Sequence, residues 1–153
     1  MVHTVVATPY GAAMTISFVL ALCLVLSPVD GPVIAGFEPS PGYSGHWGVD
    51  IAADPGSEVR APAAGVITFA GQVAGMKSVT IRLDEEVRVS LSYLSSTEVA
   101  VGDRVEAGAM VGRSGLAHGE HALHVSVRVG GAYVDPIPYL SCPRGTIRLL
   151  PDR

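Results

Sequence analysis

Two alternating runs in the middle of the chain set the first expectation. Val79, Ile81 and Leu83 alternate with Thr80 and Arg82, and Val87, Val89, Leu91 and Tyr93 alternate with Arg88, Ser90 and Ser92. A period of two is strand periodicity, because successive side chains leave opposite faces of an extended backbone. Asp84-Glu85 between the runs predicts a hairpin. A third run puts Leu123, Val125, Val127 and Val129 on one face and Ala122, His124, Ser126 and Arg128 on the other. Gly130-Gly131 then predicts a tight turn into Ala132-Tyr133-Val134. By the same parity Tyr93 belongs with the apolar Val87, Val89 and Leu91. Shorter apolar pieces, around Val33 and over 58–62, 65–71 and 99–112, are punctuated by glycine and proline and read as further short strands. No stretch after Leu26 shows helical periodicity. The pattern predicts an all-β domain over residues 28–140, a mainly antiparallel sheet, with 141–153 as a loosely held tail.

The N-terminal part is different. From Ala12 to Leu26 the residues are almost wholly apolar, short for a membrane span but long enough for the core of an export signal. Residues 1–11 carry no Lys or Arg, and no Ala-x-Ala pattern precedes Ser27-Pro28. Residues 1–27 are therefore expected to be a signal peptide or an uncleaved membrane anchor, the one part of the chain that would touch a membrane. Either way the domain is expected outside the cytoplasm.

Composition narrows the classes further. A chain of 153 residues has room for one domain whose core needs no metal or disulfide to fold. Its 18 glycines and 11 prolines fit many strands joined by tight turns. Nine arginines are scattered and Lys77 is the single lysine, in a chain of net charge −4, so no basic stripe offers itself to nucleic acid. Cys23 and Cys142 lie in the apolar N-terminal stretch and the tail, and suggest no disulfide framework.

Three of the five histidines, His118, His121 and His124, collect just before or within the third alternating run. His46 and Asp50 form a second, distant group whose spacing of four puts both on one side of either a strand or a helix. His46, Asp50 and His124 together offer two imidazoles and a carboxylate. That set suits tetrahedral Zn2+ with one position open to water or substrate.

The order of motifs also carries a resemblance. His46-x-x-x-Asp50, Ala61-Pro-x-x-Gly65-Val-Ile, Val101-Gly-Asp-Arg-Val-x-x-Gly108, Leu123-His124-Val-x-Val-Arg and Asp135-Pro resemble the lysostaphin/LytM-type zinc endopeptidases, over about Pro28 to Leu140. The resemblance implies a lysostaphin-like sheet with a groove holding one zinc on His46, Asp50 and His124. It implies peptidoglycan peptides as substrate, cut outside the cytoplasm. The chain departs from the family at two places. The first histidine of the family's His-x-His falls on Ala122, and the histidine of its Tyr-x-His-Leu falls on Tyr93. Those two side chains are expected to handle the attacking water and the oxyanion. Tyr93, through its phenol, and His121 or His118, from the loop before the strand, are the available substitutes, His121 only through a bulge because its parity opposes that of His124.

Two functional readings follow. One is an exported zinc metalloendopeptidase of weak activity. The other is a degenerate zinc-binding module that binds peptidoglycan or regulates another cell-wall hydrolase. The 101–108 motif is also similar to the hybrid-motif barrels of biotin and lipoyl carriers, where Met76-Lys77 would be the attachment point. Ser78 stands where such a motif has its second methionine.

Overall fold

The computed structural model describes residues 26–140, so the tail and nearly all of the predicted leader lie outside the described residues. The folded part takes in the last two positions of that leader: the Leu26 amide donates to the Pro62 carbonyl at 3.1 Å, and the Ser27 hydroxyl to the Val29 carbonyl at 2.7 Å. Ten strands follow: β1 (Val33–Ala35), β2 (Val49–Ala52), β3 (Glu58–Arg60), β4 (Gly65–Val73), β5 (Met76–Arg82), β6 (Val87–Thr97), β7 (Arg104–Val105), β8 (Met110–Ser114), β9 (Ala122–Val129) and β10 (Ala132–Val134). All pairings are antiparallel, and the sheet runs β1-β2-β9-β6-β5-β4-β7, with β10 beside β9 and β8 bridging β6 to β3. The sheet does not close into a barrel. Among the described residues, helix is confined to one turn at Ile137–Leu140 and a 3-10 turn at Pro41–Tyr43. Among the described residues no helix is long and apolar enough to cross a membrane.

The alternating runs fold as their period dictates. Val79 and Ile81 of β5, Val89 and Leu91 of β6, and Leu123, Val125 and Val127 of β9 are fully buried, and Val49 and Ile51 of β2 join them in one core. Asp84 closes the β5–β6 hairpin by accepting hydrogen bonds from the amides of Glu86 and Val87 at 2.8 and 2.7 Å. The opposite face is polar and falls into three cross-strand rows. The first holds Ser78, Ser92, His124 and Asp50; the second Thr80, Ser90 and Ser126; the third Arg82, Arg88 and Arg128. Hydroxyl hydrogen bonds run within each of the first two rows, Ser78 to Ser92 and Thr80 to Ser90, each at 2.9 Å.

One residue breaks the expected parity. Lys77 pairs with Leu94 and Ser78 with Ser92, so Tyr93 is the extra residue of a bulge, held at φ 64°. The bulge turns Tyr93 off the apolar face and into the polar groove, against the parity expectation. A left-handed conformation is unusual for tyrosine, and here it places a phenol beside the histidines.

The groove floor depends on the core beneath it. Leu91→Ala, which empties the centre of β6 under the second row, is expected to cost about 2–5 kcal/mol, read as a fall in the urea midpoint at unchanged slope.

Candidate metal centre

Asp50 lies directly opposite His124 in the β2–β9 ladder, so register alone brings two of the expected ligands together. His46 precedes β2 and is held by a two-way backbone bridge to Glu38, 2.9 and 2.8 Å. Its Nδ1–H donates a short hydrogen bond to the Gly36 carbonyl. A carbonyl can only accept, so the proton is on Nδ1 and the lone pair of Nε2 faces inward. There His46 Nε2 lies 3.1 Å from Asp50 Oδ1 and 3.1 Å from His124 Nδ1, and His124 Nδ1 lies 2.8 Å from Asp50 Oδ1. Three donors at the corners of such a triangle match one face of a tetrahedron, whose edge for zinc bonds near 2.0–2.1 Å is about 3.3 Å. The residues present therefore fit a zinc ion.

A fourth side chain reaches this cluster. His118 offers a ring nitrogen within 4.8 Å of the other three donors, and its Nδ1–H donates to Asp50 Oδ2 at 2.8 Å. The carboxylate thus turns one oxygen to the two histidines of the triangle and the other to His118. The backbone explains how a loop residue gets there. The amides and carbonyls of Ala117 and Glu120 exchange two hydrogen bonds of 2.9 Å around His118 and Gly119, whose φ values are 53° and 88°. Two successive left-handed residues make a type I′ turn, which glycine adopts freely and histidine more readily than most side chains. The turn points His118 back over the groove. Its ring centroid lies 4.9 Å from that of Tyr93, and Tyr93 lies 6.2 Å from His124.

His121, the other expected substitute, is exposed and outside this cluster; its backbone carbonyl accepts from the Ala53 amide at 3.1 Å. Ala122 is fully buried, opposite Ala52. The signal for His118 was the dipeptide His118-Gly119, a two-residue turn sequence just ahead of a strand, although parity along the strand says nothing about a turn.

Burial and charge prepare the site for a cation. Burial alone would push the Asp50 carboxyl up, but hydrogen bonds from His118 and His124, with the nearby histidine charges, outweigh it and hold the group below its ordinary range. Burial lowers His124, and the Asp50 hydrogen bond and charge recover only part of this, so the imidazole stays neutral at neutral pH. An ionised carboxylate beside a neutral imidazole is the protonation state a metal requires. One wall of the groove is aromatic: Trp47 packs edge-on against Phe37 at 6.3 Å and Tyr133 at 5.8 Å.

The chain belongs to peptidase family M23, whose family model matches residues 44–136, from just before His46 to just past Asp135. It is thus a member of a zinc peptidase family. Rv3786c of Mycobacterium tuberculosis is 37% identical over 115 residues, 72% of this chain and 26% of that protein. The DD-carboxypeptidase/endopeptidase Mpg of Neisseria meningitidis is 40% identical over 96 residues, 60% of this chain and 22% of that one. The chain spans about a quarter of the length of these relatives. The solved structure of the antimicrobial peptidase lysostaphin from Staphylococcus simulans is similar with a TM-score of 0.67 at 28% identity, covering 80% of this chain and 57% of that one.

Two outcomes are expected from this geometry. Gly48 leaves no room for a side chain: a Cβ there would collide with the Val125 carbonyl and lie 2.7 Å from His124 Nε2. Gly48→Ala should therefore displace the His124 ring and weaken zinc binding at least tenfold in a chelator competition. The second concerns acid. The folded values of His124 and Asp50 lie below the ordinary 6.5 and 3.8, so the unfolded chain takes up protons first. The stability of the metal-free protein should be full above pH 6.5 and fall as the pH drops through the lowered His124 value, with a further loss below 3.8. Denaturation at pH 7.5 and 5.5 (roughly one unit either side of the ordinary histidine value) should show a smaller acid loss in His124→Gln than in the wild type.

Proposed function

We propose that the protein is an exported zinc metallopeptidase that cuts peptide bonds of bacterial peptidoglycan. The observation carrying this reading is the triangle of His46, Asp50 and His124 donors on the floor of an open groove, flanked by an imidazole and a phenol. Zinc, when bound to these side chains, would acidify a water toward a pKa of about 7 and polarise a peptide carbonyl. The chain's own groups supply the rest. His118 is oriented by Asp50 Oδ2 through Nδ1, which leaves Nε2 as the proton acceptor at the rim. Tyr93 brings a phenolic O–H, a donor suited to a developing oxyanion. His118 and Tyr93 thereby take over the tasks of the two histidines replaced by Ala122 and Tyr93 itself. The apolar stretch before the domain fits export to the cell envelope, where the substrate is found.

A second reading rests on Ala122. A buried methyl group transfers no proton, and a groove that keeps its metal without turnover would hold peptidoglycan or regulate another cell-wall hydrolase.

Elemental mass spectrometry on dialysed protein is expected to find about one zinc per chain, lost in His124→Ala and kept in His118→Ala. Release of soluble fragments from purified cell walls should fall by roughly 10²–10⁴ in His118→Ala, less in Tyr93→Phe, and not at all in His121→Ala. Absence of zinc from the reconstituted wild type would sink the enzyme reading. Zinc with tight wall binding and no fragment release would establish the module instead.

A further inference from the structure

The third row of the groove face is built from arginines, and nothing in the proposed chemistry uses it. Arg88 and Arg128 are direct cross-strand partners on β6 and β9, half-buried on the floor of the groove that holds the metal cluster. Like charges placed directly opposite each other destabilise a sheet. Among the described residues neither arginine forms an ion pair with a carboxylate. Among the described residues the ring contact of the pair is the Arg128 guanidinium over Tyr133, 5.1 Å from the ring centroid, which steadies the side chain without neutralising it. Arg82 extends the row on the far side, but it lines a separate depression with Asp84 and Glu85.

The spacing to the metal is fixed by register. His124 and Ser92 are paired in the first row, Arg128 and Arg88 in the third, four residues after His124 on β9 and four before Ser92 on β6. At about 3.3 Å per residue the arginines lie roughly 13 Å from the metal cluster. Only hydroxyls, Thr80, Ser90 and Ser126, lie in the row between. An extended peptide centred on the cluster would pass over those hydroxyls and bring the group three or four residues away to the arginine pair.

We propose that Arg88 and Arg128 form a carboxylate subsite, which selects peptides bearing an acidic group three or four residues from the bond held at the metal. Two planar guanidinium forks match the two oxygens of a carboxylate, and the bound anion removes the repulsion between them. The assignment rests on the peptidase reading for the nature of the peptide. The arginine pair itself does not depend on turnover.

The test is cosedimentation, in the cold, of the zinc-loaded full chain with purified sacculi free of phosphate polymers. The sacculi are used with their carboxylates free or converted to amides by carbodiimide and ammonia. The wild type should bind the free form roughly tenfold tighter or more. Arg88→Gln and Arg128→Gln should each abolish the preference while keeping zinc and an unfolding midpoint no lower than that of the wild type. Arg104→Gln, outside the groove, should leave the preference intact. Equal binding of the two forms by the wild type, or a preference that survives both groove substitutions, overturns the subsite. Loss of the preference in millimolar sulfate would also overturn it, as a general site for small anions. Fragment release from the same sacculi separates this proposal from the peptidase reading. Release without preference leaves the enzyme and removes the subsite. An arginine-dependent preference without release does the reverse.

Discussion

The pairing of β2 with β9 is the constraint on which the site depends. Asp50 faces His124 because Val49 and Ile51 lie opposite Val125 and Leu123, and all four apolar side chains are in the core. A slip of one residue would turn every side chain of a strand to the other face, exposing the apolar set and burying the carboxylate and imidazole apart. The hydrophobic effect that holds the register thus also assembles the donors. His46 needs separate provision, because it lies ahead of the strand. The bridge to Glu38 and the hydrogen bond to the Gly36 carbonyl provide it.

Asp50 is the electrostatic hub. It is nearly buried, which by itself disfavours its charge, and three imidazoles surround it. The hydrogen bonds of His118 and His124 reverse the effect of burial, so one carboxylate serves two oxygens' worth of partners. A buried anion is costly unless a cation completes it. The same logic, with opposite sign, applies at the other end of the groove, where two guanidinium groups sit side by side. The floor is therefore polarised, acceptors at one end and donors at the other.

Much of this could be read from the chain, and what was missed has a physical reason. Alternation predicted β5, β6 and β9 and the groove-facing position of His124, because strand geometry leaves a period-two trace, and the turn residues predicted the β5–β6 and β9–β10 hairpins. The His46 and Asp50 spacing does not reflect strand periodicity, because His46 precedes β2 and reaches Asp50 through the bridge to Glu38. Tyr93 was misplaced because a bulge adds one residue and inverts parity after it, and neither Lys77 nor Leu94 announces the register shift. The exposed His121 and the groove-lining His118 are three residues apart in one loop. Their difference lies in left-handed φ values at His118 and Gly119, to which hydropathy is blind. The apolar N-terminal run before Leu26 and the tail fall outside the described residues.

The turn that carries His118 separates two parts of the site that would otherwise be bound together. An imidazole on β9 at position 122 would be tied to its neighbour His124 by the pleat, and neither could change without the other. Placed on a two-residue turn, the third imidazole answers to loop geometry alone, and position 122 carries a small, buried side chain opposite Ala52. The candidate donor triangle and the imidazole beside it are then positioned separately, the triangle largely by strand register and the third imidazole by the turn.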